Sequence, residues 1–137
     1  ILGLGDYLQE LTGRHGPVDR RTVDEAFAIM TACELPLQKR LIEYLAGKSG
    51  VRLIGPARTD ASRVGTVSFV HETLSSADIT AKVDGTGIAI RYGHMYAYDL
   101  CRALGLDPED GVVRVSLVHY NTPEEIERLI EVFEAIL

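Results

Sequence analysis

Gly111 to Glu125 reads GVVRVSLVHYNTPEE, and the rest of the chain is best read outward from it. Val112, Val113, Val115, Leu117 and Val118 form a strongly β-forming run. Tyr120 to Glu125 then turn the chain into a helix. Thr122 suits the N-cap, Pro123 the first helical position, and Glu125 the capping-box position. The odd member is Arg114. A guanidinium in a half-buried strand is costly unless it is paired or faces a cavity. Two readings are open. Arg114 makes a structural ion pair with one of the many carboxylates, or it offers a planar bidentate fork to a ligand carboxylate.

A strand–turn–helix unit of this kind calls for companions, and the preceding segments supply them. Ile1 to Thr12 carries Leu4, Tyr7, Leu8 and Leu11 at helical spacing. Gly13 to Pro17 breaks it. Thr22-Val23-Asp24-Glu25 reads as a second capping box, followed by an apolar face of Val23, Phe27, Met30, Leu37, Leu41, Tyr44 and Leu45. Pro36 predicts a kink in that helix or a split into two. Short strands are predicted at Val51–Ile54, Gly65–Val70 and Ile88–Arg91. Ser75 caps a helix to about Asp84, Tyr96–Leu104 forms another, and Pro123–Leu137 the last, with Ile126, Leu129, Ile130 and Phe133 on its buried stripe. The fold class expected is α+β: a small sheet of about four strands with helices packed on one face.

Composition limits the function. The 137 residues fit one domain, and 46% hydrophobic content suffices for a core. A net charge of −6 with no basic run argues against a nucleic-acid partner. No apolar stretch approaches the ~20 residues that span a bilayer, so no membrane partner is expected. Cys33 and Cys101 make no framework and no metal spacing, so a reducing cytoplasm is the expected setting and no metal site is expected. The start at Ile1, without a methionine, suggests a fragment or a processed product. His71 reads as a strand-end surface residue. Glu124, Glu125, Glu127, Glu131 and Glu134 read as a solvated face, the first two also favourable at the helix N-terminus.

Gly87 to His94 reads GIAIRYGH, and with the segment from Val113 to Ile126 it resembles the C-terminal domain of class V aminotransferases. In that family a G-I-A-V-R-x-G-H segment is followed by V-R-x-S-x-x-x-Y-N-T-x-E-E-I. These are pyridoxal phosphate enzymes of fold type I, and they include the cysteine desulfurases. The resemblance covers nearly the whole chain. It implies a mainly antiparallel sheet with helices on its outer side, and a large domain upstream. Residues 1–14 would be an inter-domain junction helix, and 15–137 the C-terminal small domain. A short N-terminal helix packed on its own domain is the alternative.

The resemblance also implies roles. Arg114 corresponds to the arginine that grips the α-carboxylate of an amino-acid substrate. Arg91, His94 and Tyr96 lie on a loop after a strand, where binding residues are commonly mounted. Arg91 can contact an anion, His94 can hydrogen-bond or move a proton, and Tyr96 can donate a hydroxyl. The structural alternative is that Arg91 and His94 only satisfy the start of the next helix. In desulfurases the loop runs R-x-G-H-H-C-A, and its cysteine takes sulfur. Here Tyr96 stands at the cysteine's place, and a phenol cannot form a persulfide. An aminotransferase or lyase without the loop cysteine fits better.

Cofactor chemistry needs a lysine to carry pyridoxal phosphate and an aspartate to pair its ring nitrogen. The resemblance places both in the large domain. Lys39, Lys48 and Lys82 sit in no matching motif. Pyridoxal phosphate is therefore expected in the full-length parent and not on this chain alone, which carries no catalytic residue of its own. A homodimer is the family's common assembly. The competing class is a stand-alone, non-catalytic module that binds a small carboxylate or a protein.

Overall fold

In the computed structural model, which describes residues 2–137, the valine-rich run becomes an inner strand of a sheet. The elements follow as α1 (Leu2–Thr12), α2 (Arg20–Gly47), β1 (Val51–Ile54), β2 (Thr66–His71), α3 (Ser76–Asp84), β3 (Arg91–Gly93), α4 (Tyr98–Ala103), β4 (Val112–Ser116) and α5 (Pro123–Ile136). Ile1, with which the first helix was expected to begin, lies outside the described residues. Among the described residues four strands make one sheet in the order β1-β2-β4-β3, and each neighbouring pair is antiparallel. The expected α+β class holds. No described helix is long and apolar enough to cross a membrane.

Strand alternation sorts β4 between two environments. Val113 and Val115 are buried on one face, with Val67 and Phe69 of β2 beside them. Against that face pack Leu41 and Leu45 of α2, Ile79 and Val83 of α3, and Ile126 and Phe133 of α5. Phe69 meets Phe133 edge to face at 5.5 Å and 84°. Burying each such ring stabilises the fold by about 1.5–3 kcal/mol. Val112, Arg114 and Ser116 point the other way.

The last helix forms as its sequence dictates. The Thr122 hydroxyl accepts from the Glu125 N–H at 3.3 Å, and the Glu125 carboxylate accepts from the Thr122 N–H at 3.0 Å. Asn121 donates its Nδ2–H to the Glu125 carboxylate at 3.0 Å, and its Oδ1 accepts from the Val118 N–H at 2.9 Å, which fixes the turn before the helix. The glutamates lie on an exposed face as expected, and two of them also form surface ion pairs. Glu127 takes both prongs of Arg40, at 2.6 and 2.8 Å, and Glu134 takes Lys48 at 2.8 Å. These pairs tie α5 to α2.

Several expectations need correction. The N-cap of α2 is Asp19, whose carboxylate accepts from the Thr22 N–H at 2.8 Å, so Thr22 sits inside the helix. The helix runs unbroken past Pro36, which excludes two separate helices. Phe27 is 60% exposed while its neighbour Ala26 is fully buried, so α2 turns Ala26 and not Phe27 inward. A further correction concerns β3, which is Arg91–Gly93 and not Ile88–Arg91. Ile90 leaves the ladder to enter the core, at 5% exposure.

Candidate functional site

The site grows from the close approach of two glycines. Gly111, at φ +63°, lies against the Gly93 carbonyl and the His94 amide, and a methyl on its Cα would overlap both. The two glycines also form an isolated bridge. Just before, the Asp110 carboxylate accepts from the Ser76 and Ala77 N–H groups at 2.7 and 3.0 Å. This fastens the turn before β4 to the start of α3. The result is that β4 and the 93–97 loop are held side by side.

Arg114 sits mid-strand on the face away from the core. Ser68 of β2 is opposite it on one side and Arg91 of β3 on the other. Its Nε is shut off from solvent and has no hydrogen-bond partner. Among the described residues no carboxylate forms an ion pair with it. The structural ion pair therefore fails as an account of this residue. A buried donor left unpaired is a costly arrangement in the absence of an acceptor.

Beside Arg114 lies a cavity of about 200 Å³. Ile54, Ser68 and Val112 of the sheet line one side, and Leu100 and Cys101 of α4 with its C-cap Leu104 the other. His94 and Met95 border it as well. A second, wider cleft of about 600 Å³ is lined by Arg91, His94 and Tyr96, with Asp84 and Glu109 at its edge. His94 and Met95 line both, so the four residues singled out in the sequence border two hollows that share part of their lining.

The loop geometry is specific. The His94 Nδ1 accepts from the Tyr96 N–H at 3.1 Å, and the His94 carbonyl accepts from the Ala97 N–H at 2.7 Å. With Nδ1 occupied as an acceptor, the neutral ring carries its proton on Nε2. The ring meets Tyr98 edge to face at 5.8 Å. Met95 and Tyr96 both have positive φ, +49° and +63°. A non-glycine residue in that region costs about 1–2 kcal/mol. This bend delays α4 to Tyr98, where the sequence pattern placed the helix start at Tyr96. It leaves the Tyr96 side chain at 101% exposure.

Sequence reasoning missed the roof of the cavity. Leu100 and Leu104 fall within the predicted Tyr96–Leu104 helix, and nothing local says that they border the same cavity as Val112 and Arg114. The clearest overlooked signal was Gly111, a glycine opening a valine-rich strand, which marks a close backbone approach. Tyr120 is 74% exposed and does not orient Arg114. His71 is structural, its Nδ1 accepting from the Thr73 and Leu74 N–H groups.

The chain's lysines do not fit a cofactor anchor. Lys39 pairs with Glu43 at 3.8 Å and Lys48 with Glu134 at 2.8 Å. Lys82 lines an outer groove with Arg128. None lines the cavity of Arg114 or the cleft of Arg91.

The family model for class V aminotransferases matches residues 23–129. An aminotransferase-like protein of Gibberella zeae, FGM3, is 48% identical over 107 residues, covering 76% of this chain and 26% of that protein. A probable cysteine desulfurase of Pseudomonas putida is 33% identical over 137 residues, covering 98% of this chain and 29% of that protein. Among solved structures, a cysteine desulfurase from Thermococcus onnurineus superposes with a TM-score of 0.72 at 30% identity, covering 85% of this chain and 28% of the other. The chain thus spans less than a third of the length of each of these relatives.

Proposed function

The chain belongs to the class V aminotransferase family, and on that premise we propose that it is the C-terminal small domain of a pyridoxal-phosphate-dependent enzyme acting on an amino-acid substrate. The observation that carries this reading is Arg114: a half-buried guanidinium with no protein partner, mounted on a rigid inner strand. An incoming α-carboxylate supplies the missing acceptor, and the planar fork fixes its orientation. Arg91, His94 and Tyr96 line the approach. Arg91 adds positive potential, His94 presents Nε2–H as a donor, and Tyr96 projects its phenol outward. The loop has no cysteine at the desulfurase position, so transamination or elimination is favoured over sulfur transfer.

The cofactor is assigned to the full-length parent, whose large domain supplies the lysine and aspartate that hold it and the carbanion-stabilising chemistry. Residues 1–14 form the junction to that domain and 15–137 the small domain. The parent is read as a cytoplasmic homodimer. Closure of the small domain brings Arg114 onto the substrate and excludes water. Exposed apolar side chains support a surface made for a partner domain over a stand-alone module: Leu4 at 58% and Phe27 at 60%, with Tyr7 and Val18 partly open.

The test is Arg114→Lys in the full-length enzyme. Losing the bidentate fork is expected to raise the substrate KM about tenfold or more, since a hydrogen bond to a charged group is worth about 1.5–3 kcal/mol. An unchanged KM for every amino acid tried defeats the assignment.

A further inference from the structure

We infer that the cavity beside Arg114 receives the substrate's side chain and selects an aliphatic or thioether chain. This rests on the carboxylate role of Arg114 proposed above. The cavity holds about 200 Å³. At about 30 Å³ for each water-sized group, that is room for roughly six heavy atoms. It is below the ~300 Å³ at which pockets for drug-sized ligands begin. Its walls are Ile54 and Val112 below and Ala97, Leu100 and Leu104 above, so contact is overwhelmingly with carbon. Ser68, His94 and Arg114 are the polar side chains at its border that can donate a hydrogen bond.

Charge decides against an acidic side chain. Arg91 is the neighbour of Arg114 in the ladder, yet it lines the other cleft, and no lysine lines this cavity. With Arg114 engaged by the α-carboxylate, a second carboxylate in the cavity meets no further arginine or lysine in its lining, and burying it there is costly. Size decides against the smallest substrates. Alanine, serine or cysteine leaves most of the volume unfilled and forfeits the contacts that leucine or methionine makes.

The test uses the full-length holoenzyme and compares kcat/KM for L-alanine, L-leucine, L-methionine and L-aspartate. Leucine and methionine are expected to exceed alanine and aspartate by about tenfold or more, the discrimination that filled methylenes give in an apolar pocket. Ala97→Leu fills the roof and should lower the leucine-to-alanine ratio by about tenfold. Leu104→Ala, at a partly exposed position, should move the preference towards L-phenylalanine. Calorimetry gives a readout without turnover: 4-methylpentanoate should bind more tightly than acetate or succinate. A wild-type preference for alanine or aspartate overturns the assignment, as does a ratio unmoved by both variants. Arg114→Lys separates the two failures. If it raises KM for all substrates while no aliphatic preference exists, only the side-chain pocket is wrong. If KM is unmoved, the carboxylate role falls and takes the pocket with it.

Discussion

Arg91 stands directly opposite Arg114 in the antiparallel pairing of β3 with β4. Like charges in that relation repel, and the strand pair forms in spite of them. Arg91 is exposed and Arg114 half-buried, so water screens one of the two. Arg91→Gln should therefore stabilise the ligand-free protein by about 0.2–1 kcal/mol in low salt. The gain should shrink as salt shortens the Debye length. Urea unfolding at two ionic strengths checks this. A loss of stability in both would mean that Arg91 supports β3 by packing.

Gly111 carries a second prediction. Alanine there meets two penalties: φ is +63°, and the methyl overlaps the Gly93 carbonyl and the His94 amide. Gly105, at φ +71°, has nothing within 4 Å of the same position. Gly105→Ala should thus cost about 1–2 kcal/mol, the left-handed penalty alone. Gly111→Ala should cost more by about 1–3 kcal/mol, the range for forcing extra volume into a packed place. It should also displace the 93–97 loop and weaken carboxylate binding. Equal losses in the two variants would show that the backbone contact is slack.

How far the sequence reached depends on whether the signal was local. The Thr122–Glu125 capping box and the apolar stripe of α5 are contained in a few consecutive residues, and both were legible. So was the valine alternation of β4. The Asp19 cap was missed because Thr22, with glutamate three residues on, matches the same motif; only the backbone shows which oxygen caps. Phe27 was misread because helical periodicity does not say which face a neighbour covers. Arg114, Arg91, His94 and Tyr96 could be singled out by residue type and motif. Their adjacency could not, since it depends on the β3–β4 register and on the Gly93–Gly111 approach across distant parts of the chain.

Phe27 and Phe133 make that contrast measurable. Both were expected in apolar faces, yet Phe133 is fully buried and Phe27 is 60% exposed. Phe133 packs on Phe69 and stacks with Tyr44 at 6.5 Å. Phe133→Ala should cost about 3–5 kcal/mol. Phe27→Ser should change the stability of this 137-residue chain by less than about 0.5 kcal/mol. In the full-length protein Phe27→Ser should be distinctly more costly if the ring docks on the large domain. An equal, small effect in both would leave Phe27 as a plain surface residue.

The Lys48–Glu134 pair gives the stability a pH dependence whose sign is set by the geometry. The hydrogen bond from Lys48 is the main cause that lowers Glu134 below its ordinary 4.5, and the same bond raises Lys48 above its ordinary 10.5. A carboxylate lowered on folding contributes stability that is present above its unfolded value and is lost as pH falls through the folded one. An ammonium raised on folding contributes stability that is present below its unfolded value and is lost as pH rises through the folded one. The pair therefore acts across the neutral range and fades at both ends. Glu125, lowered chiefly by the hydrogen bond from Asn121, adds to the acid limb only. Glu134→Gln should flatten the stability curve between about pH 3 and pH 5 and also above about pH 10. Glu125→Gln should flatten the acid limb and leave the alkaline limb as it was, since glutamine can still accept from the Thr122 N–H. Denaturant titrations at a series of pH values distinguish them. An alkaline limb untouched by Glu134→Gln would show that the Lys48 contact is too solvated to matter.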